Sequence, residues 1–160
     1  MKGLDAIDRK ILGLLQEDAT IALADLSRGV GLSQTPCWKR VQKLEKAGVI
    51  TGRVALLDPK KVGLSLTVFV SIETDDHSQP WLGKFASAVS AMPEVMDVYR
   101  MAGDVDYLLR VVVPDTAAYD AFYQRLIAAV PLKKVTSRFA MERIKATTVY
   151  RIPAPEASDA

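Results

Sequence analysis

GLSQTPCWKRVQKLEKAGVI, residues 31–50, decides how the front of this chain folds. It opens on a turn, Gly31-Leu32, followed by Ser33, whose hydroxyl suits a helix N-cap. Pro36 falls inside the first turn, where a missing N–H leaves no helical bond unmade. Cys37, Val41 and Leu44 recur at helical spacing and form one apolar edge. The other faces carry Gln34, Thr35, Trp38, Lys39, Arg40, Gln42, Lys43 and Lys46, and Gly48 ends the run. A basic, polar-tipped helix after a short helix and a glycine turn is the pattern of a helix-turn-helix that reads double-stranded DNA.

Toward the N-terminus the pattern stays helical. Leu4, Ile7, Ile11, Leu14 and Leu15 trace a stripe, with Asp5 and Asp8 early, where the helix dipole favours acids. Asp18-Ala19-Thr20 breaks it, and Leu23, Leu26 and Val30 make a short second helix that stops at Gly31. Three such stripes can close one small core, marginal by itself. Net charge is only +2, but residues 28–53 hold Arg28, Lys39, Arg40, Lys43, Lys46 and Arg53 against the single acid Glu45. That local excess is the footprint of a phosphate-binding surface.

Toward the C-terminus, Gly52 to Leu57 reads as a linking strand, and Asp58-Pro59-Lys60-Lys61-Val62-Gly63 as a boundary. The period then changes to two: Leu64, Leu66, Val68, Val70 and Ile72 alternate with polar neighbours and with Phe69. Trp81, Leu82, Phe85, Val89 and Met92 return to helical spacing. Val95 to Ala102 and Val105 to Val113 read as two strands joined by a Gly103-Asp104 hairpin turn. Tyr119, Phe122, Tyr123, Leu126 and Val130 mark a further helix. Val135 to about Val149 reads as a last long strand, with a bulge between Met141 and Ile144. The order β-α-β-β-α-β is ferredoxin-like. Met96 and Val98, and Leu108 and Val112, fall on the parity opposite Val95, Tyr99, Leu109 and Val111. Two apolar sheet faces predict that a second copy of the chain covers one of them.

The expected fold class is therefore α+β. A winged-type helix-turn-helix domain (1–52) leads through a linker strand and hinge (53–63) to a ferredoxin-like domain (64–151), and a loose tail (152–160) follows. Hydrophobic content of 49% and charged content of 25% are those of a soluble globular protein. No apolar run approaches the roughly 20 residues of a membrane span. Acids stand where an export signal would put its apolar core, and one cysteine makes no internal disulfide. These features fit a cytoplasmic protein. The residues show no H-E-x-x-H, paired cysteines, P-loop or G-x-G-x-x-G, so neither a cofactor nor a metal is expected. An enzyme using Asp104, Asp106 and His77 is disfavoured, because the only histidine falls in the polar loop Asp75-Asp76-His77-Ser78-Gln79-Pro80. A protein that wraps DNA with little sequence preference is the remaining alternative.

Several segments in order, LDAIDRKIL (4–12), LSQTPCWKRVQKLEKAGVI (32–50), VALLDPKKVGL (54–64), MAGDVDYLL (101–109) and TSRFAMERIK (136–145), make the chain resemble the leucine-responsive regulator/AsnC family of transcription factors. The resemblance runs from Leu4 to about Val149. It implies homodimers that assemble further into octamers, and a rear domain that senses an amino acid. TPCWKR, MPEV, YRMAGDVDY and YDAFYQRL look most like a subgroup that responds to L-cysteine and switches on a cysteine-degrading desulfidase gene. For DNA, the candidates are Ser33, Gln34 and Thr35 at base edges, Lys39, Arg40 and Lys43 at phosphates or guanines, and Arg28 and Arg53 on the flanking backbone. Trp38 either touches the sugar-phosphate edge or wedges against the first helix, and Cys37 reads as a small core hydrophobe. For the effector, the turn Met101, Ala102, Gly103, Asp104, Asp106 and Tyr107 offers backbone N–H groups to a carboxylate and carboxylates to an ammonium. Asp104 and Asp106, two apart, would share a strand face. By resemblance, Thr136 and Ser137 complete that pocket between dimers.

Overall fold

A computed structural model describes residues 4–153. The chain divides into two compact units. One holds residues up to Leu56 and those from Lys145 on, and the other holds Leu57–Ile144.

The first unit contains α1 (Ala6–Glu17), α2 (Leu23–Val30) and α3 (Gln34–Lys46). Asp5 caps α1 by accepting the Asp8 N–H at 2.8 Å, while the Asp8 carboxylate accepts the Asp5 N–H at 3.3 Å. The Asp18 carboxylate closes the other end by taking the Thr20 N–H at 2.8 Å. Gly31, at φ +72°, ends α2 in the left-handed conformation, and the Leu32 N–H reaches the Ser27 carbonyl at 2.9 Å. Ile11, Leu12, Leu26, Val30, Cys37, Val41 and Leu44 form the buried core.

The chain from Lys145 on belongs to this unit. The Gln16 side-chain amide brackets Tyr150: its Oε1 accepts the Tyr150 N–H at 2.7 Å and its Nε2 donates to the Tyr150 carbonyl at 3.2 Å. Arg9 Nε donates to the Pro153 carbonyl at 2.8 Å, and Ile152 packs against the helical core. Ile152 and Pro153 are therefore anchored, against the expectation of a loose tail. The rest of that tail, 154–160, lies outside the described residues.

The second unit contains β1 (Leu66–Glu73), α4 (Gln79–Ser90), β2 (Val95–Arg100), β3 (Tyr107–Val113), α5 (Thr116–Ala129) and β4 (Lys134–Phe139). Its antiparallel sheet has the order β2-β3-β1-β4. Ser78 caps α4 and Asp115 caps α5 through their side chains. One face buries Val68, Val70, Ile72, Tyr107, Leu109, Val111 and Val113 against Trp81, Phe85, Val89, Tyr119, Phe122 and Leu126 of the helices. Trp81 and Phe85 stack at 5.1 Å, and Phe85 lies 4.7 Å from Tyr107.

Four expectations need correction. Residues 52–57 form no strand: they are exposed and have no pairing partner among the described residues, and a strand needs a neighbour to hydrogen-bond. The last strand ends at Phe139, not Val149, so no bulge lies between Met141 and Ile144. The sheet there has run out of β1 to pair with, since Phe139 already faces Val68 and the Ala140 N–H takes the Thr67 carbonyl. The β2–β3 connection is a six-residue loop, 101–106, closed by the Met101 N–H on the Asp106 carbonyl at 2.8 Å. Finally, an irregularity between Val95 and Asp97 resets the phase of β2. Val98 then pairs with Leu109 on the helix side, and Tyr99 pairs with Leu108 on the open side. The open face is mixed. It carries Phe69, Tyr99, Leu108 and Val112, but also an Arg110–Asp97 ion pair and an Arg138–Ser71 hydrogen bond of 2.7 Å.

Candidate nucleic-acid interface and effector turn

The apolar edge Cys37, Val41 and Leu44 sets the rotation of α3 and turns Ser33, Gln34, Thr35, Trp38, Lys39, Lys43 and Lys46 outward, all of them exposed. The Ser33 hydroxyl makes no capping bond, so it is free for another partner. Among the described residues, no carboxylate pairs with Lys39, Lys43 or Lys46. A shallow groove of about 470 Å³ runs along this flank, lined by Trp38, Lys39, Gln42, Lys43, Lys46 and Ala47. Trp38 is 50% exposed, so it does not wedge into the core. Cys37 is buried, and burial pushes its thiol pKa up, as fits a core hydrophobe.

Three of the cations named from the sequence are already engaged. Arg28 pairs with Asp25 at 3.0 Å on the exposed surface of α2, and Arg53 pairs with Glu45 at 3.0 Å. Surface pairs like these are weak and exchange readily for another anion. Arg40 is different. Its guanidinium bridges Asp5 and Asp8, 2.8 Å from the latter, and Asp8 is 3% exposed. The Asp8 N–H first, and Arg40 second, hold the Asp5 carboxyl below its ordinary pKa, while Asp5 and Asp8 raise that of Arg40.

In the second unit, the turn named from the sequence as a candidate effector site does not continue a strand, so Asp104 and Asp106 do not alternate along one. Gly103 sits at φ +142°, a conformation that side-chain-bearing residues rarely adopt. Between the hydrogen-bonded Met101 and Asp106, the N–H groups of residues 102–105 have no intramolecular partner among the described residues. Met101, Ala102, Gly103 and Asp104 are exposed. The Asp106 carboxylate accepts the Thr74 N–H at 2.8 Å and lies 3.9 Å from His77 Nδ1, which ties the turn to the end of β1. Tyr107 packs in the core beside Trp81 and Phe85, with little of its side chain exposed. Thr136 pairs with Ser71 on the open face, whereas the Ser137 hydroxyl faces the helices and bonds the Tyr119 hydroxyl. The two neighbours point to opposite faces. Two strand spacings, roughly 10 Å, separate β4 from β3, the strand that leaves the turn.

The roles of Asp5 and Asp8 as partners of Arg40, and of Gln16 and Arg9 as anchors of the returning chain, were not read from the sequence. A carboxylate early in a helix already has a local explanation, and nothing local to Gln16 points to Tyr150.

A helix-turn-helix with an outward basic helix, joined in one chain to a ferredoxin-like ligand-binding fold, defines a DNA-binding transcriptional regulator. A winged helix-turn-helix DNA-binding model matches residues 4–51, and the Lrp/AsnC ligand binding domain matches 67–150. The chain is 56% identical over 146 residues to the DNA-binding transcriptional activator DecR of Escherichia coli, covering 91% of this chain and 96% of that protein. The crystal structure of an AsnC family transcriptional regulator from Agrobacterium tumefaciens superposes with a TM-score of 0.89 at 62% identity, over 92% of this chain and 97% of that one. A Neisseria meningitidis transcriptional regulator in complex with L-Met gives 0.88 at 33% identity, over 93% and 97%. The chain belongs to the Lrp/AsnC family. It is a regulator and not an enzyme. No helix among the described residues is long and apolar enough to cross a membrane.

Proposed function

We propose that this regulator reads a specific DNA sequence through Ser33, Gln34 and Thr35, grips phosphates through Lys39 and Lys43 with Arg28 and Arg53 on the flanks, and adjusts that grip to a small amino acid. The observation that carries the DNA part is the carboxylate-free row Gln34, Thr35, Lys39 and Lys43 on the exposed side of α3. The unpartnered N–H groups of residues 102–105 suit an α-carboxylate, and the exposed Asp104 suits an α-ammonium. Thr136 stands apart from this turn within one chain. A pocket that includes it takes a second copy, docked on the open face through Phe69, Tyr99, Leu108 and Val112. Homodimers follow from that reading, and further assembly to octamers is what the family resemblance implies. L-cysteine is the effector that the family resemblance favours, and the L-Met complex of the Neisseria relative supports the amino-acid class.

The test uses a DNA fragment selected by the protein from a random pool, and fluorescence anisotropy with and without each of the twenty amino acids. One of them should change affinity 5–150-fold, equivalent to ~1–3 kcal/mol of coupling. Asp104→Ala should remove that response while affinity without amino acid stays within about twofold of wild type. A response that survives Asp104→Ala moves the pocket elsewhere. Selected and scrambled DNA competing equally would mean an architectural DNA-wrapping protein instead.

A further inference from the structure

We infer that Arg40 does not contact DNA and instead positions the recognition helix by clamping it to the first turn of α1. Arg40 lies in the middle of α3, one residue past Lys39 and one turn before Lys43. Its guanidinium is shared by two carboxylates that also cap each other's backbone N–H groups, Asp5 at the N-cap and Asp8 at the third residue of α1. The clamp is a closed set: cap, third helical residue and guanidinium each satisfy the other two.

Two physical facts keep Arg40 there. Asp8 is 3% exposed, and a buried carboxylate without its cation is strongly unfavourable. A phosphate that recruited Arg40 would have to leave that charge behind. The arginine side chain itself is only 32% exposed, whereas Lys39 and Lys43 on the same helix are exposed and unpaired. The division of labour along α3 follows. Lysines face outward to solvent and phosphate, and the arginine faces inward. Both carboxylates bond one nitrogen, Arg40 Nη1, whose two hydrogens are held in the guanidinium plane, whereas a lysine ammonium is a rotating point charge. The apolar edge Cys37, Val41 and Leu44 fixes which side of α3 is buried. The directional, charge-assisted bonds of Arg40 add a second constraint that ties α3, with its outward Gln34, Thr35, Lys39 and Lys43, to the first turn of α1.

The test measures affinity for selected and scrambled DNA at several salt concentrations. The variants are Arg40→Ala, Arg40→Lys and Asp5→Asn, with Lys43→Ala as the phosphate-contact control. Asn caps a helix about as well as Asp, so Asp5→Asn keeps the fold even if Arg40→Ala does not. Lys43→Ala should lower the slope of log affinity against log salt by about 0.9. Arg40→Ala should lose tenfold or more in affinity for selected DNA with the wild-type slope, and Arg40→Lys should recover only part of it. Asp5→Asn should weaken the preference for selected over scrambled DNA in the same direction. A phosphate-contacting Arg40 gives the opposite pattern: a slope reduced by about 0.9 in Arg40→Ala, and tighter binding of both DNAs by Asp5→Asn, because a competing carboxylate has gone. That pattern, or wild-type behaviour of both variants, overturns the inference.

Discussion

The two units of this chain reach stability by different routes. Among the described residues, the sheet unit buries fifteen side chains in its core, including Trp81, Phe85, Tyr107, Tyr119 and Phe122. The helical unit buries seven, none aromatic. Small units bury too little apolar surface to outweigh chain entropy comfortably. The helical unit compensates with polar fastenings: the Asp5–Asp8–Arg40 clamp across α1 and α3, and the returning segment pinned by Gln16, Arg9 and Ile152. The sheet unit has polar contacts too, the half-buried Arg110–Asp97 pair among them, but it sets them beside a core twice as large. A small reading head is held together by directional bonds, and a larger sheet by area.

That contrast breaks if the units melt alike. Phe122→Ala, fully buried on α5, should destabilise the sheet unit by about 3–5 kcal/mol. Ile11→Ala, fully buried on α1, should take about 2–5 kcal/mol from the helical unit and abolish DNA binding while the sheet stays folded. Calorimetry should show each substitution moving a different transition. A single shared transition moved by both would mean that the two cores fold as one.

A smaller effect sharpens the role of the returning segment. Gln16→Ala removes both hydrogen bonds to Tyr150, a loss of about 1–3 kcal/mol. It should appear only in the transition of the helical unit and should speed proteolysis between 145 and 153. No change in either would reduce the segment to a passive lodger.

The smallest effect concerns pH. The folded Asp5 carboxyl lies below its ordinary value, chiefly through the Asp8 N–H and then through Arg40. A depressed carboxyl contributes stability above the unfolded value, about 3.9, and loses it as pH falls through the lower folded value. Wild type and Asp5→Asn should therefore differ at neutral pH and converge as the pH drops below about 4. Curves that stay parallel through that window would remove the ionised cap from the account.

Much of this was legible in the residues. The Cys37, Val41 and Leu44 edge announces both α3 and the side it buries. The alternation Val68, Val70, Ile72 announces β1 and its helix-facing side. Gly31 and Gly103 mark two of the turns whose positive φ suits glycine. The misreadings share a cause. Parity along Val95–Tyr99 fails because the irregularity at Met96 inserts a residue, and only the partner strand reveals that. The run to Val149 reads as strand because it is apolar and extended, but an extended run becomes a strand only opposite another. Nor does the row of cations around Arg40 disclose that Asp5 and Asp8 lie beside it.

Helix positions, the strand alternation and the basic recognition face are properties of nearby residues, set by backbone periodicity within one or two turns, and one chain written out suffices to show them. Partnerships are another matter. Arg40 meets Asp5 across 35 positions and Gln16 meets Tyr150 across 134, and no local rule relates them. Whether a charged group faces solvent or another charge depends on which surfaces close together, and that emerges only when the chain has folded.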